Sequence, residues 1–354
     1  MTTEAKPSWR PAGDREVRLG LAGLGAMGRN HLRVIATRSG VRVAAVADPV
    51  PTAVAAAVAQ SGAQGFAEPL AMIAEAELDA VIIAAPTTAH EALARAAIER
   101  DVAVLVEKPL AATVDEAMRI VEAGRARGVP VQVGHVERFN PAVLELGRLL
   151  TDGWLSSIFA IASRRAGPFP ERIRDVGVTV DLATHDVDIL SWIARERPVR
   201  VYAETAQRIH ATHEDLLFGL LHFPSGATGM LDVNWLTPDK RRQLTVIGEE
   251  GMFELDYLTQ QLTFTRTATL SPPVLIRGYA PTFAGEAAIL PVQSREPLGV
   301  ELDAFLRVVR DGGRPIVDGE DGLWAVAIAG ALLESAATSR PVDLSPMVSK
   351  LSMR

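Results

Sequence analysis

Two side chains of the kind that move protons, Asp181 and His185, stand four apart in the run Thr179 to Ala194, TVDLATHDVDILSWIA. On a helix that spacing sets both on one face, with Asp188 close to the same side. An amphipathic helix expects solvent there. An aspartate beside an imidazole instead fixes the ring's tautomer, which serves either a structural pair or acid–base work near neutral pH. As a metal site the pattern offers two ligands, and no cysteine or second clustered histidine completes them. Lys108, in the triplet Glu107-Lys108-Pro109 after an apolar run, is either a solvated loop residue or, once buried, a proton acceptor. Arg164, Arg165, Arg172 and Arg174 fall within eleven residues of a chain with net charge −7. That local reversal of charge makes either a solvated loop or subunit contact, or a cluster whose planar guanidinium groups suit phosphate.

The elements that must position these groups begin with VRLGLAGLGAMGRNH, Val17 to His31. It reads as a buried strand, a tight turn and the first turns of a helix. Gly23 lets the chain reverse, Gly25 admits a pyrophosphate to the backbone, and Gly28 lets helix and strand approach. The helix N-terminus adds N–H groups and partial positive charge. A second apolar strand, Val41 to Ala47, ends at Asp48, twenty residues beyond Gly28. A carboxylate there either caps the turn before Pro49 or accepts hydrogen bonds from an adenosine ribose, and with no arginine following it NAD is favoured over NADP. Further apolar strands near Gly65, at Ala80 to Ala85, Val102 to Val106 and Val129 to Val133 alternate with helical segments, which implies a parallel sheet with right-handed crossovers. Polar residues gather at the carboxyl ends of these strands: Pro86, Thr87 and Thr88, then Glu107 and Lys108, then Gly134 and His135. Ligands bind at that edge of an open α/β sheet.

Beyond His135 the pattern changes to longer alternating runs separated by turn signals. The candidates are Ser156 to Arg165, Val199 to Ile209, Leu216 to Phe223, Thr228 to Trp235, Arg242 to Ile247, Gly251 to Asp256 and Gln261 to Thr265. They predict a second domain on a mostly antiparallel sheet with one face free for an oligomer contact, hence a homodimer or homotetramer. Two amphipathic helices, near Leu298 to Arg310 and Gly322 to Thr338, return toward the domain junction. The expected organisation is a tail over 1–16, a dinucleotide-binding domain over 17–136 and a substrate and oligomerisation domain over 137–354. With 48% hydrophobic and 22% charged residues among 354, the chain has the composition of a two-domain globular protein. The absence of cysteine excludes disulfides, thiolate metal sites and a cysteine nucleophile. The acidic balance argues against a nucleic-acid partner, and no run has the length of a membrane span, so a cytoplasmic protein is expected.

With these residues in hand the chain resembles the glucose-fructose oxidoreductase / inositol dehydrogenase family, Gfo/Idh/MocA, through the glycine turn, Asp48, Glu107-Lys108-Pro109, and Asp181-x-x-x-His185 ahead of Asp188. The resemblance implies a Rossmann domain with a doubly wound parallel sheet and an α+β domain with a large open sheet. It also implies a bound nicotinamide cofactor and oxidation of a sugar or cyclitol hydroxyl. Lys108, Asp181 and His185 match the positions that carry or support proton transfer. By the same resemblance NAD is held by Gly23, Gly25, Ala26, Met27, Gly28, Asp48, Pro86, Thr87, His90, Glu107 and Lys108. The runs GHVERFNPAV and RRAGPFPERIRDVGVTVDLATHDVDIL resemble the UDP-N-acetylglucosamine 3-dehydrogenase branch. That implies a substrate set of Lys108, Arg138, Asn140, Arg164, Arg165, Arg172, Arg174, Asp181 and His185. A free sugar, sugar phosphate or inositol is the alternative substrate, and a non-catalytic NAD-binding regulator the alternative function.

Overall fold

The computed structural model describes residues 8–170, 176–267 and 286–352. They form two compact units. The first comprises the chain up to Phe139 together with Glu296–Ala327, and the second comprises Asn140–Arg295 and the residues from Ile328 onward. Sequence reasoning had assigned all of 137–354 to the second domain. Residues 296–327 join the first unit because the helix Pro297–Asp311 lays Leu298, Leu302 and Phe305 into its core. Asp303 on that helix takes the Arg38 guanidinium at 2.9 Å, and Arg310 donates to the Ser39 and Gly40 carbonyls.

The first unit is built on strands β1 (Val17–Ala22), β2 (Val41–Ala47), β3 (Gln64–Phe66), β4 (Ala80–Ile83), β5 (Ala103–Glu107) and β6 (Val131–Gly134). Their order is β3-β2-β1-β4-β5-β6, and every pairing is parallel. Alanine, valine, leucine and isoleucine fill β4 and β5 on both faces, as a sheet covered by helices on each side requires. The order reverses between β1 and β4, so the crevice outside their carboxyl ends is the place for a ligand.

The second unit carries β7 (Ile158–Ala166), β8 (Arg200–Ala206), β9 (Leu216–His222), β10 (Thr228–Asn234), β11 (Arg241–Gly248), β12 (Gly251–Asp256), β13 (Gln261–Arg266), β14 (Ala287–Leu290) and β15 (Val342–Asp343). The sheet order is β14-β13-β12-β11-β7-β10-β9-β8-β15, antiparallel except for the β7–β10 pair. The two edge strands, four and two residues long, were not anticipated because they are too short to show alternation. Ile161, Leu217, Leu221, Leu231, Leu244 and Val246 point to the covered face, where the helix Thr184–Ala194 lies against β7 and Leu190 fills the space left by Gly229. The other face exposes Phe218, Leu220, Met230 and Ile247. Among the described residues no helix is long and apolar enough to cross a membrane.

Candidate active site

The glycine turn has the shape its spacing predicts. Gly23 sits at φ +92°, and a Cβ there would lie 2.4 Å from the Ala84 carbonyl oxygen just past β4. A Cβ on Gly28 would lie 2.0 Å from the carbonyl oxygen of Gly23, so the helix Ala26–Ile35 can start this close only on glycine. Gly25, the helix N-cap, would meet nothing within 4 Å. No side chain caps this helix and its first turn, with Ala26 and Met27, holds no acidic residue, which leaves its amide dipoles available to an anion. Asp48 stands at the lip of the turn: Oδ2 accepts from the Leu24 amide at 2.7 Å and Oδ1 from the Val50 amide at 2.8 Å. Pro86 and Thr87 begin the short helical turn Thr87–Ala89 after β4. The open space at Gly25, the uncapped helix and the fixed carboxylate together fit a dinucleotide.

His90 is the member of the expected cofactor set that the structure places inside the first unit. It is buried, with Nε2 2.9 Å from the Ala85 carbonyl and Nδ1 2.9 Å from the Pro109 carbonyl. The one N–H of the neutral ring donates to one of these two carbonyls and so braces one strand end against the next. Burial holds its pKa below the ordinary histidine value despite those two carbonyls.

Glu107 ends β5 and Lys108 follows, joined to Pro109 by a cis peptide bond. Glu107 Oε1 is 2.7 Å from Nε2 of His31, a residue on the buried side of the helix Ala26–Ile35. Burial pushes the Glu107 carboxyl up, but the His31 hydrogen bond and charge, with the charge and amide of Lys108, outweigh it and hold the group below the usual carboxylate range. Glu107 is thus held ionised at the end of β5, next in the chain to Lys108.

In the second unit Asp181 and His185 do not share one regular helix. Thr179–Ala183 forms a π-helical turn, and the α-helix runs only from Thr184 to Ala194. Wider i→i+5 turns of this kind are frequent at functional sites. Asp181 and His185 are both half-buried, whereas Asp186 and Asp188 are buried. Glu214 holds the start of the turn, its Oε1 accepting from the Thr179 amide at 3.1 Å and its carbonyl from the Val178 amide at 2.9 Å.

The arginines divide. Arg165 is buried, with Nε donating to both carboxylate oxygens of Asp186 at 3.0 and 2.9 Å and its guanidinium 5.2 Å from the centre of the Tyr257 ring. Arg164, next along β7, points to the opposite face and pairs with Asp232 at 3.0 Å. Strand alternation therefore forbids the two from gripping one ligand together. Arg172 and Arg174 lie outside the described residues. Arg138 is buried against Asp321 at 3.5 Å in the first unit. Asn140 is an N-cap, accepting from the Ala142 amide at 3.1 Å and donating to the Tyr257 carbonyl. Arg138 and Asn140 thus each have a partner in the framework. Sequence reasoning missed His31, Glu214, Tyr257 and Glu301. A charged residue on an otherwise apolar helical stripe, as at Glu301 between Leu298 and Phe305, was the available signal.

Two family models match the chain. One, described as an oxidoreductase family with an NAD-binding Rossmann fold (GFO_IDH_MocA), covers residues 17–135, and the family's C-terminal domain covers 143–254. Inositol 2-dehydrogenase 2 of Saccharopolyspora erythraea is 32% identical over 343 residues, 93% of this chain and 96% of that protein. The chain belongs to the GFO/IDH/MocA family. Its Rossmann unit is accordingly an NAD-binding one, in a family of oxidoreductases. Among other members, UDP-N-acetylglucosamine 3-dehydrogenase of Acidithiobacillus ferrooxidans is 26% identical over 88% of this chain and 95% of its own. A solved structure under that name from the same organism superposes with a TM-score of 0.79 at 25% identity, covering 90% of this chain and 97% of that one. An Agrobacterium radiobacter oxidoreductase in complex with NAD+, L-tartaric acid and magnesium shares the fold, with a TM-score of 0.83 at 22% identity over 94% and 99% of the two chains.

Proposed function

We propose that this GFO/IDH/MocA member is an NAD-dependent dehydrogenase that oxidises a secondary hydroxyl of a polyol or sugar to a ketone. The observation that carries the reading is the Asp48-gated glycine turn on the same sheet edge as Lys108. Bound there, NAD supplies the hydride acceptor. A carbinol gives up hydride readily only as its oxygen gives up a proton. In this reading Lys108 and His185 serve that hydroxyl, one accepting the proton and the other donating a hydrogen bond to the oxygen. Asp181 fixes the imidazole tautomer.

For the substrate, a neutral polyol such as an inositol is the first reading. It is supported by the 32% identity to an inositol 2-dehydrogenase over most of both chains, and by Arg164 and Arg165 lying on opposite faces of β7, the latter committed to Asp186. A nucleotide sugar oxidised at its 3-hydroxyl, as in UDP-N-acetylglucosamine, is the second, supported by the likeness to the Acidithiobacillus enzyme. Reduction of NAD followed at the nicotinamide absorbance with myo-inositol, glucose 6-phosphate and UDP-N-acetylglucosamine separates them. Turnover of none of these or of any other polyol, with NAD bound, would favour a regulator and refute the reading. The exposed apolar face around Phe218, Leu220, Met230 and Ile247 supports a homo-oligomer assembled through the open sheet.

A further inference from the structure

Glu301 lies in the core of the first unit on the apolar stripe of the helix Pro297–Asp311 and is wholly buried. Its carboxylate, one ring nitrogen of His31 and a carboxylate oxygen of Glu107 stand within 4.8 Å of one another. Among the described residues neither Glu301 oxygen has a hydrogen-bond partner, and neither has Nδ1 of His31. Around this group, Gln132 on β6 donates only to the Glu301 backbone carbonyl, at 3.4 Å. The turn Val136–Phe139, also packed on the helix, carries Glu137 and Arg138, and Arg138 pairs with Asp321. From β1 the charged residue is Arg18, paired with Asp79 and Glu77, and from the helix Ala26–Ile35 Arg33 pairs with Glu296.

Two buried carboxylates this close cannot both stay ionised without a compensating charge for each, and His31, hydrogen-bonded to Glu107, supplies one at most. The remedy is a metal ion or a proton. Ligand atoms held at about 2.0–2.2 Å from one ion stand about 3 Å or more apart. His31 and Glu107 are already at 2.7 Å, a hydrogen-bond separation that leaves an ion no room between them. We propose that Glu301 is kept as a neutral carboxylic acid and acts, through Glu107, as a positioning residue for the charge beside Lys108. Burial, then the neighbouring Glu107 charge, hold its pKa well above the carboxylate range, while the His31 hydrogen bond and charge help hold Glu107 below it, so of the two carboxyls it is Glu301 that keeps its proton. Deprotonation of Glu301 would place a second negative charge behind the Glu107-Lys108 strand end. The positioning role rests on the proposed function of Lys108; the protonation does not.

Infrared difference spectra at neutral pH test the protonation directly. The wild-type protein should show the C=O stretch of a protonated carboxylic acid, absent in Glu301→Gln. Its presence in both, or a metal bound at one equivalent in the wild type and lost in the variant, overturns the proposal. Turnover tests the positioning. Glu301→Ala should cost tenfold or more, Glu301→Gln should recover to within threefold at neutral pH, and the alkaline limb of the wild-type pH–rate profile should shift in Glu301→Gln. An unshifted limb overturns the positioning role. Stability gives a third readout: a raised acid is fully stabilising below its ordinary value of 4.5 and loses that contribution as pH rises through its native value. Glu301→Gln should flatten that decline, and an unchanged slope counts against the proposal even if Lys108 proves to have no role.

Discussion

Gly28 and Gly25 are three residues apart in one turn, yet replacing each by alanine should do different things. At Gly28 the new Cβ would start 2.0 Å from the Gly23 carbonyl oxygen, and ordinary contact begins near 3.4 Å, so the helix Ala26–Ile35 and the turn must part by 1.4 Å. Crowding of this sort costs about 1–3 kcal/mol, and alanine returns about 1 kcal/mol of helix propensity. Because the clash is with backbone, Gly28→Ala should therefore lose about 2 kcal/mol of stability or more. The displaced amides matter more. Losing one hydrogen bond to a charged phosphate, about 1.5–3 kcal/mol, weakens NAD binding roughly ten- to hundredfold. At Gly25 the Cβ meets nothing within 4 Å and the backbone, at φ −65°, suits alanine. Gly25→Ala should hold or gain about 0.4–1 kcal/mol by reducing unfolded-state freedom. It should still bind NAD at least tenfold more weakly, because the methyl group occupies the approach to the helix N-terminus. Denaturant unfolding and NAD titration of both variants decide the matter. Native affinity in Gly25→Ala, or native stability and affinity together in Gly28→Ala, would refute the reasoning.

Lys108→Ala and His185→Ala should each keep NAD binding and lose about a hundred- to ten-thousandfold in turnover; near-normal turnover in both would exclude the proton-transfer roles. Arg165→Ala strands the buried Asp186 carboxylate and should destabilise by about 3–5 kcal/mol, whereas Arg164→Ala breaks an exposed pair with Asp232 and should cost at most about 1 kcal/mol. Equal losses in urea unfolding would contradict the division of β7 into two faces. Leu220→Glu combined with Met230→Glu should convert the assembly to monomers in sedimentation equilibrium, and a monomeric wild type would rule out the sheet-face contact.

Much was legible in the residues because it depends on near neighbours. Most of the six parallel strands show as short apolar runs, the seven longest strands of the second sheet show as alternation, and the glycine turn with Asp48 shows as spacing. Less legible were the partners that some polar residues find elsewhere in the fold. His90, Arg138 and Asn140 looked like ligand contacts because polar residues beside a strand end or turn serve a ligand and a framework equally well in sequence. Only the fold puts the Pro109 carbonyl beside His90 and Asp321 beside Arg138, whereas the cap of Asn140 on the Ala142 amide is local.

The sequence by itself determined where a phosphate-bearing cofactor meets the chain, since a turn without Cβ atoms and a carboxylate one helix and one strand later are local features. Tertiary structure decided what surrounds Glu107. His31, Glu107 and Glu301 come from a helix, a strand and a second helix nearly two hundred residues further on, and no periodicity links them. Burial is a property of the assembled core, so the partition of one proton between two carboxylates exists only once that core has closed.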